Sequence, residues 1–179
     1  MSDRKSIAGV VLAGGRSSRM GHDKAYLDYQ GQPLVEYMVG LLKETGLENI
    51  YISGRTNETY ASTNCRCLPD STSFAGPAAA IRDILDRLSD YDGILFIPVD
   101  MPFLTQEILR ELLQQENGGH YEGWPLPLYL LTGQKYGAGQ SVHQMIVGMN
   151  VKILPLPQDS QFCFANLNTP EEWKRAVWQ

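Results

Sequence analysis

The stretch Gly9-Val-Val-Leu-Ala-Gly-Gly-Arg-Ser-Ser-Arg-Met-Gly-His-Asp-Lys24 joins an apolar strand to a glycine turn that carries cations. Ile7 to Leu12 is short, rich in β-branched residues and uncharged, the composition of a strand buried on both faces of a parallel sheet. Gly14 and Gly15 follow, and without a Cβ they let backbone N–H groups approach an anion. Arg16, Arg19 and Lys24 then supply cationic side chains that can reach different phosphates of one polyphosphate. The stretch reads as the first strand of an α/β layer, followed by a loop that holds a nucleoside triphosphate. It is not a P-loop, because Gly21 is followed by His22 rather than by Lys and Ser or Thr, and the dinucleotide pattern Gly-x-Gly-x-x-Gly is absent. The alternative is an ordinary strand, turn and helix with surface arginines.

Outward from this loop, apolar strands alternate with amphipathic helices, the pattern of a doubly wound α/β fold with a mostly parallel sheet. Leu34, Met38, Leu41 and Leu42 form one helical stripe, with Gly46 placed to end it. Asn49 to Ser53 reads as the second strand. Ile81, Ile84, Leu85 and Leu88 give a helix that begins just after Gly76-Pro77. Gly93 to Val99 reads as a strand and Leu104 to Leu113 as a helix. Beyond Asn117, the Pro-broken stretch Tyr121 to Leu131 reads as an edge strand and the glycine-rich Gly133 to Gly139 as a mobile loop. Val142 to Met149, Val151 to Leu156 and Pro170 to Trp178 read as a short helix, a strand and a terminal helix.

The chain has 179 residues, a length that suits one domain over 1–179. A net charge of −5 argues against non-specific nucleic-acid binding, so the arginines of the first loop are a local feature. No apolar run approaches a membrane span and no signal-type stretch precedes the first strand, so a cytoplasmic protein is expected. Cys65, Cys67 and Cys163 form no Cys-x-x-Cys and suggest neither a disulfide framework nor a zinc site. His22, His120 and His143 are scattered and read as surface or capping residues.

A second motif is Phe96-Ile97-Pro98-Val99-Asp100-Met101-Pro102-Phe103, an apolar strand that ends at a carboxylate set between two prolines. In an open parallel sheet that position lies at the carboxyl edge, where ligands bind. A hard cation such as Mg²⁺ takes carboxylate and phosphate oxygens, which makes Asp100 the expected metal ligand. Its structural alternative, capping the next helix, is better filled by Thr105. The small residues of Gly76-Pro77-Ala78-Ala79-Ala80 leave room for a flat base to lie against backbone. In Asn166-Leu167-Asn168-Thr169-Pro170-Glu171-Glu172, a capping box with Pro170 in the first turn accounts for Thr169, Pro170 and Glu172 but not for the asparagines.

Together these motifs resemble the nucleotidyltransferase superfamily. Leu12-Ala13-Gly14-Gly15, Arg19-Met20-Gly21 and Lys24 match its signature loop, in the form most similar to the molybdenum cofactor guanylyltransferases, which join GMP to molybdopterin. The strand ending at Asp100 and Met101-Pro102, the Leu68-Pro69-Asp70-Ser71 and Gly76-Pro77 block, and Asn166 to Glu171 resemble the same family. The resemblance implies a Rossmann-like three-layer sandwich of the nucleotide-diphospho-sugar transferase type. It implies GTP held by Leu12, Ala13, Gly14, Gly15, Lys24, Ser53, Asp70 and Asp100, with Ser53 standing where the family often has Asn. It also implies Arg19, Lys24 and Asp100 as the catalytic set, Mg²⁺ on Asp100, and Asn166 and Asn168 beside the pterin acceptor. Transient contacts with cofactor-synthesis proteins and recipient molybdoenzyme apoproteins follow from handling a labile product.

A phosphate nucleophile is already deprotonated near neutral pH, so a site with cations and a metal ligand but no catalytic His or Cys suits in-line attack on the α-phosphorus of GTP. The chain departs from the family between Leu113 and Asn166, where it is shorter and Trp124-Pro125 replaces a His-Pro pair. That departure falls on the acceptor side. Two alternatives accompany the leading reading: a cytidylyl- or guanylyltransferase with another small-molecule acceptor, and a GTP-binding module without an acceptor site.

Overall fold

The computed structural model describes residues 6–14, 24–54, 65–69, 76–169 and 171–173. Its centre is β1 (Ile7–Leu12), flanked in parallel by β4 (Asn49–Gly54) and β6 (Gly93–Pro98). Beside β4 runs β5 (Arg66–Pro69), also parallel. On the other side β6 pairs antiparallel with β8 (Trp124–Leu131), β8 pairs antiparallel with β7 (Gly119–Tyr121), and β7 pairs parallel with β9 (Lys152–Leu154). The seven-stranded sheet thus has the order β5-β4-β1-β6-β8-β7-β9, and β2 (Asp28–Tyr29) with β3 (Gln32–Pro33) forms a separate small hairpin.

Side-chain alternation along the strands sorts the core into two faces, as burial on both sides of a sheet requires. Val11, Ile52, Leu95 and Ile97 face α1 (Leu34–Glu44) and α3 (Gln106–Leu113). Val10, Leu12, Ile94, Phe96, Leu128 and Leu130 face α2 (Pro77–Arg87) and α4 (Val142–Ile146). Helix, sheet and helix make three layers, the α/β arrangement expected from the alternation of elements.

Helix ends follow local chemistry. Gly46 at φ 102° closes α1: its N–H donates to Lys43 O at 2.9 Å and Leu47 N–H to Leu42 O at 3.2 Å. This is a Schellman cap, and it turns Leu42 and Leu47 onto Gly9 of β1. Pro77 opens α2 at its first turn, where a missing N–H costs nothing. Thr105 caps α3 by accepting the Ile108 N–H, as its place in the sequence predicts, which leaves Asp100 free of that role.

Several expectations are corrected. The stretch from Tyr121 to Leu131 is not an edge strand: β8 lies inside the sheet, between β6 and β7, and the outer strands are β5 and β9. Its prolines are tolerated there because pairing with β7 jumps from Tyr121↔Trp124 to His120↔Leu128, which places Pro125 and Pro127 in the irregular part of the ladder. His120 is buried, with Nδ1 2.9 Å from Tyr121 O and 3.2 Å from Trp124 O, and is not a surface residue. α4 stops at Ile146, short of Met149, because Val147 is extended and Gly148 takes φ 83°. The strand expected over Val151 to Leu156 is confined to β9. The Gly133 to Gly139 segment is tied to α2, where Arg82 donates to Gly137 O at 3.1 Å and Gly139 O at 2.9 Å.

Among the described residues, no helix is long and apolar enough to cross a membrane.

Candidate active site

The chain runs outward from β1 through β4 to β5, then returns to place β6 on the opposite side of β1. Such a reversal opens a crevice at the carboxyl ends of the strands. Leu12 is in register with Ser53 on one side and Pro98 on the other. The level is locked by Ala13 N–H donating to Ser53 O at 2.8 Å and Val99 N–H donating to Leu12 O at 3.1 Å. The start of the glycine loop and Asp100 therefore leave the sheet side by side, although 86 residues separate paired positions of β1 and β6 such as Ile7 and Gly93.

Lys24 returns to this edge from a single 3₁₀ turn, Lys24–Tyr26, in which Ala25 is fully buried and fixes the turn against the core. Its ammonium donates to Asp100 Oδ2 at 3.1 Å and to Asn168 Oδ1 at 2.7 Å. Lys24 and Asp100 side chains are 16% and 24% exposed, a partly screened environment open to a ligand. Such a pair attracts by several kcal/mol at an effective dielectric of about 20, but net values for partly exposed pairs are nearer about 1 kcal/mol after desolvation and side-chain ordering. A triphosphate brings several negative charges, so it can compete for this ammonium.

The third partner arrives from the far end of the chain. Leu167, buried, donates its N–H to Asp100 O at 2.9 Å, which lays the 166–168 segment across the end of β6. Asn166 and Asn168 flank that anchor. The expected capping box follows: Glu172 N–H donates to Thr169 Oγ1 at 3.2 Å, and Thr169 N–H donates to Glu172 Oε2 at 3.0 Å. The bonds from Asn168 and Thr169 N–H hold the Glu172 carboxyl below the usual glutamate range, with a smaller contribution from Lys24.

Of the residues expected to form the site, the structure brings together Lys24, Asp100 and Asn168, with Leu12 and Ala13 buried beneath and Gly14 exposed at the rim. Ser53 is 2% exposed at the end of β4, in line with Leu12. Asn166 is half-buried beside Leu167. Gly15, Arg16, Arg19, His22 and Asp70 lie outside the described residues. The sequence did not reveal an aromatic cluster in which Tyr29 meets Tyr37 at 4.7 Å, Trp173 at 5.9 Å and Phe103 at 6.5 Å between ring centroids. Its members lie on four segments and share no local spacing.

Oxygen donors suit a hard cation here. Asp100 Oδ2 and Asn168 Oδ1 already converge on one positive group, the Lys24 ammonium. Among the described residues no cluster of three His, Cys, Asp or Glu side chains exists. This donor set fits Mg²⁺, which keeps several waters and shares itself between few carboxylates and substrate phosphates.

Comparison with known proteins bears on the same geometry. Residues 9–125 match the MobA-like NTP transferase domain. The chain is 33% identical over 190 aligned residues to a molybdenum cofactor guanylyltransferase of Xanthomonas euvesicatoria pv. vesicatoria, covering 99% of this chain and 97% of that protein. It is 27% identical to a probable molybdenum cofactor guanylyltransferase of Opitutus terrae, covering 97% and 96%. Among solved structures, a nucleotidyl transferase from a Methanothermobacter species superposes with a TM-score of 0.79 at 19% identity, over 96% of both chains. The molybdopterin-guanine dinucleotide biosynthesis protein A of Archaeoglobus fulgidus superposes with a TM-score of 0.65 at 19% identity, over 96% and 97%. At that identity the two superpositions establish the fold. The family match and the near full-length sequence match establish more: this chain belongs to the MobA-like NTP transferase family.

Proposed function

We propose that this protein transfers GMP from GTP to molybdopterin, forming the molybdopterin guanine dinucleotide cofactor and releasing pyrophosphate. The observation that carries the reading is the convergence of Lys24, Asp100 and Asn168 at the carboxyl edge between β1 and β6. It joins a cation for phosphates, a carboxylate for a metal and an amide toward the acceptor. A relative that is named for this activity and matches nearly the whole chain supports it.

In this reading the backbone of Leu12 to Gly15 frames guanine and ribose, with Ser53 and Asp70 on the nucleotide side. Lys24 leaves Asp100 for the phosphates and, with Arg19, balances their charge. Asp100 holds Mg²⁺, which when bound draws charge from the phosphate oxygens. Asn166 and Asn168 orient the acceptor. The acceptor's phosphate oxygen attacks the α-phosphorus in line; a P–O bond forms as the opposite one breaks, and pyrophosphate leaves with the electron pair. No side chain has to take a proton, so catalysis is positioning and charge stabilisation. The product then passes by transient contact to cofactor-handling proteins and molybdoenzyme apoproteins.

The test is pyrophosphate release with Mg²⁺ and molybdenum-loaded molybdopterin, comparing GTP, CTP and ATP. Release with GTP is expected, together with a loss of about 10²-fold or more in Asp100→Ala and Lys24→Ala, as for removal of a transition-state charge partner. Release with CTP instead would reassign the base. GTP binding without pyrophosphate would move the acceptor elsewhere, or leave a binding module, and would point to the short segment between Leu113 and Asn166.

A further inference from the structure

We propose that Glu172 is a positioning residue, which sets the Lys24 ammonium in place through Asn168; the proposal rests on the nucleotidyl-transfer reading for its catalytic consequence. A capping box needs two bonds, the Glu172 N–H to the Thr169 hydroxyl and the Thr169 N–H to the Glu172 carboxylate. Both are present, yet the shortest bond to the carboxylate lies outside the box: Oε2 takes the Asn168 N–H at 2.6 Å, against 3.0 Å from Thr169. Capping does not require that bond. Its effect is to fix the backbone of the residue whose side chain receives Lys24 at 2.7 Å.

The neighbours of Glu172 serve the same end. Leu167 N–H is bonded to Asp100 O, so Asn168 is held from both sides, by the end of β6 before it and by Glu172 after it. Trp173 packs on Tyr29 at 5.9 Å, in the hairpin that directly follows the Lys24–Tyr26 turn. Leu167 and Trp173 thus fasten one short segment to the Asp100 end of β6 and to the hairpin that follows the Lys24 turn, and Glu172 ties Asn168 within that segment. Free rotation of Asn168 would cost the ammonium one of its two described partners.

The experiment measures acetylation of Lys24 by limiting acetic anhydride in the folded protein, read by peptide mass spectrometry against the exposed Lys43 and Lys135. Glu172→Ala is expected to raise the relative rate several-fold, Asn168→Ala to match it, and the double variant to add nothing. Glu172→Gln keeps an acceptor oxygen and is expected to stay near the parent. Thr169→Ala, which removes only the hydroxyl arm of the cap, is expected to do the same. An unchanged rate in Glu172→Ala overturns the proposal. So does a Glu172→Gln rate as high as that of Glu172→Ala, or a Thr169→Ala rate equally raised.

For GMP transfer, Glu172→Ala is expected to lower kcat about tenfold with little change in KM, with partial rescue by Glu172→Gln. Loss of a cap alone would lower the unfolding midpoint and leave kcat of the folded enzyme intact, a result that counts against positioning. If the parent transfers no GMP, the functional reading fails, and Lys24 reactivity still decides the role of Glu172.

Discussion

The Lys24 ammonium lies between two oxygens whose residues stand 76 and 144 positions away in the chain. Side-chain chemistry explains why lysine suits the place: a compact charge on a flexible stem can exchange one set of oxygens for another, whereas an arginine fork is pre-shaped for a fixed bidentate partner. Glu172 adds a pH dependence. Its folded-state pKa is depressed, first by the Asn168 N–H bond, so its contribution to stability is present above the ordinary glutamate value of about 4.3 and is lost as pH falls through the lower folded value. Thermal unfolding measured across that acidic range should show a shallower loss of stability in Glu172→Gln than in the parent. Identical slopes would mean that the carboxylate gains nothing from folding.

Two glycines on adjacent elements make opposite predictions. Gly9 in β1 has the α1 cap above it, and an ideal Cβ there would meet Leu47 Cδ1 at 3.0 Å and Leu42 Cδ1 at 3.1 Å. Gly9→Val overfills this contact and should cost about 1–3 kcal/mol. Gly40 lies within α1 with nothing inside 4 Å of a Cβ. Gly40→Ala should therefore stabilise, by up to about 1 kcal/mol, through helix propensity. Urea midpoints with unchanged slopes would register both effects, one downward and one upward. Equal signs would show that helix-to-sheet packing at Gly9 relaxes more easily than its side-chain distances suggest.

Across the whole molecule, stability should fall from the centre of the sheet to its edges. β1 and β6 are paired on both sides and buried under helices on both faces, whereas among the described residues β5 and β9 are paired on one side, and β9 leaves Ile153 58% exposed. Hydrogen exchange should be slowest for the amides of Val10, Val11, Leu95 and Phe96, and faster for those of residues 66–68 and of Lys152–Leu154. The candidate site then lies at the carboxyl ends of the best-protected strands. Exchange at β1 as fast as at β9 would contradict it.

The α/β layering, the first strand, the caps at Gly46, Pro77 and Thr105, and the capping box at Thr169 were legible in the residues alone, because each depends on local spacing and on one residue's own backbone preference. The sequence also supplied Lys24, Asp100 and Asn168 as candidates, since residue type limits what can hold a phosphate, a metal or an amide-seeking ligand. Packing between distant segments set the meeting of Asn168 with Lys24, the reach of Glu172 one residue beyond its box, and the place of β8 inside the sheet. Those outcomes depend on strand order and on pairing between distant segments. Local periodicity reports which face of an element is apolar, but not which other element will cover it.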